Sequence, residues 1–373
     1  MGRRLCLAEA RRLSSGPVPL ASEVTWVTHC SQDRLLELRL AIEAWEGPFA
    51  ATVVASPGRR QWDALIREAE GLVKECGEGR RLDLLLLPQA SLGQASCASC
   101  WPRRTSPWSD AAYPANSMRQ LARGLVASRL AFLVDVDVLP SGGLAGALRA
   151  EAPALLLGAH RFLVVPTFEL VISASDADGA ESLSSLRHAR PPFQELHAAW
   201  LRNEVRGFHT GHFPQGHSPT QFDHWFRLQG DGDSFPVTWE QGFEPYGLAE
   251  VEALPPYDTR FDAVFLHDKE SFFAELALGR EPFEFFVFPG GFLLSTALTV
   301  SSDSSSGQAG AWGRRSPEQI LLAEALARRH FQELRWAAKL APALAASIWP
   351  CGCDCVAHAP GAEPPFICDG RLA

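Results

Sequence analysis

The chain has 373 residues and carries 34 Lys and Arg against 43 Asp and Glu, a formal net charge of −9. This excess of acid leaves no global positive field to hold a polyanion, which argues against a general nucleic-acid binder. Hydrophobic residues make up 46% and charged residues 21%, the composition of a globular protein that buries a core. The longest apolar runs, such as Leu82–Pro88 and Leu130–Val134, are far shorter than the ~20 residues of a membrane-spanning helix, so no membrane span is predicted.

Strand and helix patterns alternate from Ser22 onward in the manner of successive βα units. The predicted strands of this part are Val24–Thr28, Phe49–Ala55, Leu82–Leu87 and Leu130–Val134. The predicted helices are Asp33–Trp45, Trp62–Lys74 and Pro114–Ser128. Because strands interleaved with helices form parallel pairs, the pattern predicts an α/β fold with a parallel sheet. The nearly continuous apolar run Leu82–Leu87 predicts a strand buried on both faces.

The later part of the chain is predicted to be less regular. A loop or insertion is expected over 89–112, and residues 193–225, dense in His, Gly and aromatic side chains, form a substrate-facing segment. Further predicted elements are strands at Phe162–Pro166, Pro236–Trp239 and Glu284–Phe288, and helices at Leu144–Ala150, Ser271–Leu278 and within Pro317–Ile348. The predicted division is an N-terminal extension (1–21), a main α/β domain (22–300), a Ser/Gly linker (301–315) and a C-terminal helical segment with a Cys-rich tail (316–373).

Two groups of cysteines stand out among the nine. Cys97 and Cys100 form a C-x-x-C motif, and a second group alternates over Cys351–Cys355 and is followed by His358. The second group has ligand types that hold zinc, which would make the tail an interaction module. Disulfides or free thiols in a loose tail fit the same spacing, so the compartment is not determined by the cysteines.

An Asp-x-Asp motif, Asp135-Val136-Asp137, directly follows the predicted strand Leu130–Val134. Open α/β folds bind ligands at the carboxyl edge of their strands, where this motif places two carboxylates. Carboxylate oxygens are hard ligands suited to Mg²⁺ or Mn²⁺, which commonly bridge a protein to substrate phosphates. The motif therefore indicates a metal site, and capping of the following turn is the alternative.

Further motifs surround the Asp-x-Asp motif in a specific order. In chain order they are Val24–Trp45, Trp45–Pro48, Tyr113–Arg123, Phe132–Ser141, Val164–Glu169, Ser218–Phe222, Trp239, Phe243–Tyr246, Tyr257–Phe261 and Glu275–Leu276. Together they resemble glycosyltransferase family forty-nine, which includes the C-terminal domain of the LARGE proteins and a β-1,4-glucuronyltransferase. The resemblance covers the chain from about Ser22 to about Leu294.

The resemblance implies that 22–300 form a GT-A glycosyltransferase domain, a Rossmann-like α/β fold with a mixed, mostly parallel central sheet. It implies an inverting transfer of a sugar, glucuronic acid or a related hexose or pentose, from a UDP-sugar to a glycan or glycoprotein acceptor. The implied cofactor is Mn²⁺ or Mg²⁺, with Asp135 and Asp137 as its ligands. The implied donor-binding residues are Asn116, Arg119, Asp135 and Lys269. From the residues alone, a salt bridge on the helix surface fits Arg119 equally well.

Inversion needs a carboxylate that takes the proton from the acceptor hydroxyl. Glu244 is predicted for this catalytic role, with Asp258 and Glu169 as rivals. Each of these residues also fits a structural role in a turn or a salt bridge. The aromatic residues predicted to stack on the acceptor sugar are Trp239, Phe243 and Tyr246, and their alternative is a place in the core.

Two positions depart from the family's pattern. Asp268 stands where the family has Asn, which adds negative charge near the expected diphosphate, and Ser295 stands where the family has a His that looks like a third metal ligand. A serine hydroxyl is a weak ligand, and His267 is a nearby substitute. These departures support a second hypothesis, a catalytically impaired relative that binds a glycan or nucleotide.

The resemblance also implies a cellular location, because members of the family are typically type II membrane proteins of the Golgi. The Golgi lumen is therefore expected. The N-terminal sequence MGRRLCLAEARRLSSG begins with basic residues but lacks the apolar stretch of a signal peptide. No anchor is visible in the sequence, so a truncated sequence or a soluble form is expected.

Overall fold

Repeated strand and helix units build the middle of a large β-sheet. The computed structural model describes residues 10–56, 58–76, 79–88, 113–172, 191–211, 213–228, 232–262, 267–300, 325–334, 367–368 and 371–372. The first elements are β1 (Arg11–Ser15), β2 (Val24–Ser31), α1 (Leu35–Ala44), β3 (Phe49–Val54), α2 (Arg59–Cys76), β4 (Leu82–Leu87), α3 (Ala115–Arg123) and β5 (Leu130–Leu133). Every residue of β3 and β4 is buried, because helices cover both faces of the sheet here.

The remaining elements extend this sheet and add a smaller one. They are β6 (Val138–Pro140), α4 (Leu144–Leu156), β7 (Arg161–Val164), β8 (Thr167–Ile172), α5 (Phe193–Leu201), β9 (Val205–Gly207), α6 (Phe222–Leu228), β10 (Phe235–Val237), β11 (Gly247–Glu250), α7 (His267–Leu278), β12 (Glu284–Val287), β13 (Leu293–Val300), α8 (325–334), β14 (Ile367–Cys368) and β15 (Arg371–Leu372). The last two strands pair only with each other within the described residues.

The large sheet has the strand order β1-β4-β3-β2-β5-β11-β7-β12-β10. Strands β4, β3, β2 and β5 are parallel neighbours, as are β7 and β12, and the other neighbours are antiparallel. Strand β11 lies so close to β7 that a Cβ on Gly247 would come within 2.4 Å of the Leu163 carbonyl oxygen. Because β11 runs opposite to β5, the residues that precede β11 reach the same sheet edge as those that follow β5.

A four-stranded sheet with the order β6-β13-β8-β9 lies beside this edge. In it, Ser295 of β13 is opposite Val138 of β6. Thr296 donates two hydrogen bonds to the Asp137 carbonyl oxygen, from its main-chain nitrogen at 2.7 Å and from Oγ1 at 3.0 Å. The small sheet therefore holds the main chain of the Asp-x-Asp motif in place.

Alternating side chains of the central strands fill separate hydrophobic cores on the two faces of the sheet. On β2, Val24 and Trp26 belong to the core that includes Leu38 of α1 and Leu65 of α2, whereas Val27 belongs to the other face. The period of two residues is what a strand dictates. The Asp-x-Asp motif consequently follows a strand that is packed on both sides and rigidly placed.

Helix α8 packs against the loop between β11 and α7. Its apolar side chains, including Phe331 and Leu334, contact Phe261 and Ala274. Its polar side chains join a charged group that we call the helix cluster. The helix cluster consists of Asp258, Arg260, His330 and Glu333. Arg260 binds Asp258 at 2.6 Å, and His330 is buried with Nε2 at 3.3 Å from the Ser271 carbonyl oxygen.

The structure confirms the predicted α/β class, the mixed sheet and the four strands of the parallel part. The helix predicted over 114–128 is shorter and ends at Arg123, with Gly124 at its C-cap. Residues 11–15, assigned to the N-terminal extension, form β1 and pair with β4. The run of parallel neighbours stops at β5, because β11 enters the sheet in the opposite direction, and beyond it, among the described strands of this sheet, only β7 and β12 are parallel.

Several predictions concern residues outside the described part of the chain: the insertion at 89–112, the linker at 301–315 and both cysteine groups. Among the helices that the structure does describe, none is both long enough and apolar enough to span a bilayer.

Candidate active site

A pocket opens at the carboxyl edge of β2 and β5. Val27 and Leu133 are opposite each other in these parallel strands, and the chain then continues into the pocket on both sides. Tyr246 enters the same edge from the other direction, because the next residue, Gly247, is also opposite Leu133. The residues that line the pocket are Val27, Thr28, His29, Arg119, Leu133, Val134, Asp135, Pro245, Tyr246, Tyr257, Lys269 and Phe273.

Asp135 is the electrostatic centre of this pocket. Its Oδ2 accepts hydrogen bonds from the Tyr246 hydroxyl at 2.8 Å and from Lys269 Nζ at 2.9 Å, and its Oδ1 lies 3.7 Å from Arg119 Nη2. Burial alone would raise the pKa of this carboxyl, but Lys269 and Arg119 outweigh it and hold the pKa well below its usual range. Asp135 is therefore ionised throughout the physiological pH range.

Asp137 has a different environment only two residues away. Arg34, at the start of α1, donates a hydrogen bond to its Oδ2 at 2.9 Å. Its Oδ1 is buried and has no hydrogen-bond partner in the structure. Burial and the neighbouring charge of Asp135 raise the pKa of Asp137. A buried carboxylate oxygen without a partner is costly unless a ligand satisfies it, so this atom is available to a cation.

Arg119 connects the pocket to the start of α7. Its Nη1 donates to Asp268 Oδ2 at 2.7 Å and to Asn116 Oδ1 at 3.0 Å. Burial alone would lower the pKa of Arg119, but Asp268 and Asp135 raise it above its usual value. The additional carboxylate at position 268 is thus offset by a buried guanidinium.

We call the six ionisable groups around the Asp-x-Asp motif the donor cluster. It consists of three cations and three carboxylates: Arg34, Arg119, Lys269, Asp135, Asp137 and Asp268. Lys269 also lies 4.7 Å from the centre of the Tyr246 ring, a cation–π contact. Burial opposes the charge of Lys269, but Asp135 and Glu244 raise its pKa.

His29 is a neutral side chain in the wall of the pocket. Its Nδ1 lies 2.6 Å from the Tyr113 hydroxyl, and its Nε2 is buried, has no hydrogen-bond partner and lies 4.0 Å from Asp135 Oδ1. Burial, assisted by Arg119, lowers the pKa of His29 to about 3. A neutral imidazole nitrogen with no partner can contact either a cation or a polar ligand in the pocket.

Glu244 lies beside the donor cluster, two residues before Tyr246. Its main-chain nitrogen donates to the Gly216 carbonyl oxygen at 3.1 Å, and its side chain is largely buried. Burial raises the pKa of Glu244 to about 8, although Lys269 acts in the opposite direction. A carboxyl with this pKa exchanges protons near neutral pH, as a general base must.

The donor set fits a divalent metal ion in its chemistry. Asp135 and Asp137 supply hard oxygen ligands, and Asp137 Oδ1 lacks any other partner. Ser295, the weak substitute for a histidine, is buried on β13 next to Thr296, which holds the Asp137 main chain. Within the described residues, no group of three or more His, Cys, Asp or Glu side chains is positioned to hold a metal, so the fit rests on the two aspartates.

The structure brings together the predicted residues Asp135, Asp137, Arg119, Lys269, Tyr246 and Glu244. Arg119 lines the pocket and its side chain is only 11% exposed, and its ion pairs are with Asp135 and Asp268 there, not on the helix surface as its alternative had it. Tyr246 is almost completely buried and donates to Asp135, so in this conformation it orients a carboxylate. Asn116 is also fully buried and donates to the carbonyl oxygens of Asp258 and Asp268. Asn116 therefore ties the turn at Asp258 to the start of α7, and its Oδ1 accepts a hydrogen bond from Arg119.

Other predicted residues lie away from the pocket. Phe243 is completely buried in the core, so its ring offers no face to an acceptor sugar, and Trp239 donates Nε1 to the Phe243 carbonyl oxygen. Asp258 caps the turn Thr259–Phe261 and binds Arg260. Glu169 is buried and paired with Arg206 at 2.5 Å. His267, the suggested substitute ligand, contacts Glu270 at 2.6 Å. At these positions the side chains have structural roles: they lie in the core, cap a turn or form an ion pair.

The residues that the sequence did not single out are His29 and Arg34. His29 lies in the second half of β2, the strand next to β5, and Arg34 follows that strand; residues at and beyond the carboxyl ends of neighbouring parallel strands meet at one edge. That rule, applied to β2 as well as β5, is the signal that finds them.

Fold and site together define an α/β protein with a charged pocket at the carboxyl edge of its sheet. Comparison of the sequence with protein-family models then gives a specific assignment. Residues 87–296, more than half of the chain, match the family described as glycosyl-transferase for dystroglycan. The chain belongs to this glycosyltransferase family, which confirms the resemblance seen in the motifs and, with the mixed sheet, the predicted class of fold.

Curated relatives support the assignment. The chain is 28% identical over 287 residues to the xylosyl- and glucuronyltransferase LARGE1 of Danio rerio, an alignment that covers 76% of this chain and 32% of LARGE1. It is 28% identical to LARGE2 of Homo sapiens over 78% of this chain and 35% of the relative. It is 28% identical to β-1,4-glucuronyltransferase 1 of Mus musculus over 64% of this chain and 60% of the relative. The chain thus spans about a third of the LARGE proteins.

Among solved structures, the chain is similar to TarS of S. aureus, with a TM-score of 0.39 and 11% identity over 87% of this chain and 42% of TarS. A shorter form of TarS in complex with UDP-GlcNAc gives the same TM-score and identity over 70% of that chain.

Proposed function

We propose that this chain transfers a sugar from a UDP-sugar to a glycan, with glucuronic acid or xylose as the transferred sugar. The observation that carries the proposal is the donor cluster, in which Asp135, Arg119 and Lys269 line one pocket and the next carboxylate of the motif, Asp137, binds Arg34. The names of the relatives, xylosyl- and glucuronyltransferases, support the choice of sugar. Family membership supports the type of reaction.

Fixed positive charge suits the pocket to a diphosphate. Arg119 lies near Oδ1 of Asp135 and Lys269 binds its Oδ2, while Arg34 binds Oδ2 of Asp137. A guanidinium binds phosphate oxygens through two parallel hydrogen bonds, and an ammonium acts as a point charge. These groups would bind the diphosphate and stabilise the charge that grows on UDP as it departs.

Asp135 and Asp137 are the residues that would hold Mn²⁺ or Mg²⁺. When bound, such an ion supplies Lewis-acid stabilisation of the diphosphate leaving group. The buried Oδ1 of Asp137, which has no partner in the structure, supports its part in this role.

Glu244 is the group that we propose as the base. An acceptor hydroxyl oxygen attacks the anomeric carbon, the bond from that carbon to the diphosphate oxygen breaks, and the hydroxyl proton passes to the Glu244 carboxylate. Attack from the side opposite to the leaving group inverts the anomeric centre. The pKa of about 8, raised by burial, supports a carboxylate that holds a proton more strongly than an exposed one.

A second candidate function is nucleotide or glycan binding without transfer. Ser295 favours it, since a weak ligand stands where the family has histidine. In both candidate functions the partner that we infer beside the nucleotide is a glycan or glycoprotein. We infer the Golgi lumen as the location from the family resemblance.

Calorimetric titration of UDP, with and without Mn²⁺, followed by a UDP-release assay with UDP-glucuronic acid and UDP-xylose, tests the proposal. We expect binding that requires Mn²⁺ and is lost in Asp137→Ala. The matched control is Asp63→Ala, which removes an exposed carboxylate of α2 that pairs with Arg59. Binding without turnover for any acceptor glycan would favour the second candidate, and a folded protein that binds no UDP would contradict both.

A further inference from the structure

Helix α8 carries a buried imidazole, that of His330, for which the proposed reaction has no use. The helix contacts α7 and the turn before it, at Phe261, Ala274, Ser271 and Arg260. None of these four residues lines the pocket. His330 itself is almost completely buried. A buried polar group costs free energy unless its hydrogen bonds are made, so the partners of His330 indicate what it does.

The two ring nitrogens of His330 have different partners. Nε2 donates a hydrogen bond to the Ser271 carbonyl oxygen at 3.3 Å, because a carbonyl oxygen can only accept. Nδ1 faces Arg260 Nη2 at 3.5 Å, and a guanidinium nitrogen can only donate. Both contacts fit a neutral ring with its proton on Nε2, and burial lowers the pKa of His330 accordingly. The ring is therefore held in one tautomer that donates to α7.

A chain of hydrogen bonds continues from Ser271 to the pocket. Ser271 Oγ donates to the Asp268 carbonyl oxygen at 3.0 Å, and Asn116 Nδ2 donates to the same oxygen at 2.9 Å. The Asp268 carboxylate accepts from Arg119 Nη1 at 2.7 Å. Arg119 Nη2 then lies 3.7 Å from Asp135 Oδ1 in the pocket. Each link between α8 and Asp135 is thus a hydrogen bond or an ion pair.

The part of α7 that this chain crosses is the one that most needs support. Asp268 is the second residue of α7, in the first turn, where main-chain N–H groups have no partner within the helix. Arg119 belongs to a different helix, α3, and its Nη1 is held between Asp268 and Asn116. The orientation of the guanidinium therefore depends on where the first turn of α7 lies.

We propose that His330 is a positioning residue for the donor pocket: through the Ser271 link it holds Arg119 in the orientation that binds the donor diphosphate. This inference rests on the proposed function, because Arg119 is the group that His330 serves. The alternative is that His330 only fastens α8 to the fold. A purely structural role predicts a less stable protein whose folded molecules bind UDP normally, whereas positioning predicts weaker UDP binding by the folded molecules.

Calorimetric titration of UDP in the presence of Mn²⁺, with the folded fraction of each protein measured by urea denaturation, separates these two roles. His330→Leu removes the Nε2 donor and should weaken UDP binding about fivefold, the effect typical of one lost hydrogen bond. His330→Gln keeps a side-chain N–H of similar reach toward the Ser271 carbonyl oxygen. It should therefore bind UDP within about twofold of the wild type.

Ser271→Ala breaks the same chain one link nearer the pocket. It deletes the hydroxyl that donates to Asp268 and introduces a strong helix former, so the variant should fold even if His330→Leu does not. We expect a similar loss of UDP affinity, and no further loss in the double variant, because both changes interrupt one path. The matched control is Leu72→Ala in α2, which removes buried contacts in a different hydrophobic core. It should lower stability and leave UDP binding unchanged.

Normal UDP binding by folded Ser271→Ala would overturn the inference and leave the proposed function standing. A loss in His330→Gln as large as that in His330→Leu would overturn it as well, since the hydrogen bond would then not be what matters. A folded wild-type protein that binds no UDP would overturn the proposed function together with this inference.

Discussion

Two charged clusters of the structure consist of similar groups but are organised differently. In the helix cluster, Asp258 binds Arg260, only two residues away, and its carboxylate also caps the turn Thr259–Phe261. In the donor cluster, Asp135 and Asp137 bind Lys269 and Arg34, more than a hundred residues away in each case. A carboxylate paired within its own turn fixes that turn, whereas one paired by distant elements has its partner only when the whole fold has formed.

The largest expected difference between the clusters concerns catalysis. Asp137→Asn should reduce sugar transfer by about a hundred- to a thousandfold, the magnitude typical of losing one group that stabilises the transition state. Asp258→Asn should change transfer little, because Asp258 serves a turn. Initial rates of UDP release at saturating donor compare the two variants. A loss in Asp258→Asn as large as that in Asp137→Asn would show that the clusters do not differ in this way.

The pH dependence of the rate sharpens the role of Glu244 beside the donor cluster. Because burial raises its pKa to about 8, the base is protonated at lower pH, and kcat/KM should rise about tenfold per pH unit up to that value. Glu244→Gln should lower the rate and abolish this rise. A rise that survives in Glu244→Gln would assign the base to another group.

Glu244 should also affect stability, but rising pH should lower the stability where it raises the rate. The folded pKa of Glu244 is raised above the unfolded value of 4.5, so the unfolded state binds fewer protons between that value and about 8. The free energy of unfolding contributed by Glu244 is therefore lost as pH rises through this range. Chemical denaturation across the range should show a shallower decline for Glu244→Gln than for the wild type.

For stability we expect the opposite ranking: a substitution in the helix cluster should lower the free energy of unfolding more than one in the donor cluster. Asp258→Ala removes a cap and a partly buried ion pair and should lower the free energy of unfolding by about 1–2 kcal/mol. Asp137→Ala should cost less, because burial and Asp135 already oppose its charge, as the raised pKa shows. Urea denaturation measures both. A larger loss in Asp137→Ala would mean that its pair with Arg34 stabilises the fold.

The smallest expected effect lies at Tyr246. Tyr246→Phe removes the hydroxyl that donates to Asp135 but keeps the ring beneath Lys269. Loss of one hydrogen bond of about 1 kcal/mol should weaken combined Mn²⁺ and UDP binding about fivefold. Calorimetry with both ligands measures this. Unchanged binding would show that Lys269 and Arg119 orient Asp135 without the hydroxyl.

The parallel part of the fold was predictable because its signals are local. Apolar runs such as Leu82–Leu87 predict strands, and the amphipathic segments between them predict helices, without reference to the rest of the chain. The position of Asp135 and Asp137 follows from the end of one such strand. Strand β11 carries no comparable signal: Gly247–Glu250 is four residues long and begins with glycine. Its antiparallel entry between β5 and β7 is a tertiary property.

The carboxylates of the site were predictable from the sequence, but the side chains that bind those carboxylates were less so. Phe243 and Tyr246 are three residues apart in one motif, yet the Phe243 ring lies in the core, whereas the Tyr246 hydroxyl reaches Asp135 in the pocket. Motif membership does not distinguish these environments, because burial is decided by neighbouring elements. Likewise, Arg34 belongs to the opening motif, but its contact with Asp137 exists only once β2 and β5 pair.

The two hydrogen bonds from Thr296 to the Asp137 carbonyl oxygen have a kinetic consequence. They fix the main chain of the motif independently of whatever its carboxylate binds. A change of partner at Asp137 then requires rotation about side-chain bonds, not displacement of a loop, and such rotations are among the faster motions of a protein. The carboxylate can therefore turn toward a ligand while the strand that carries the motif stays in place.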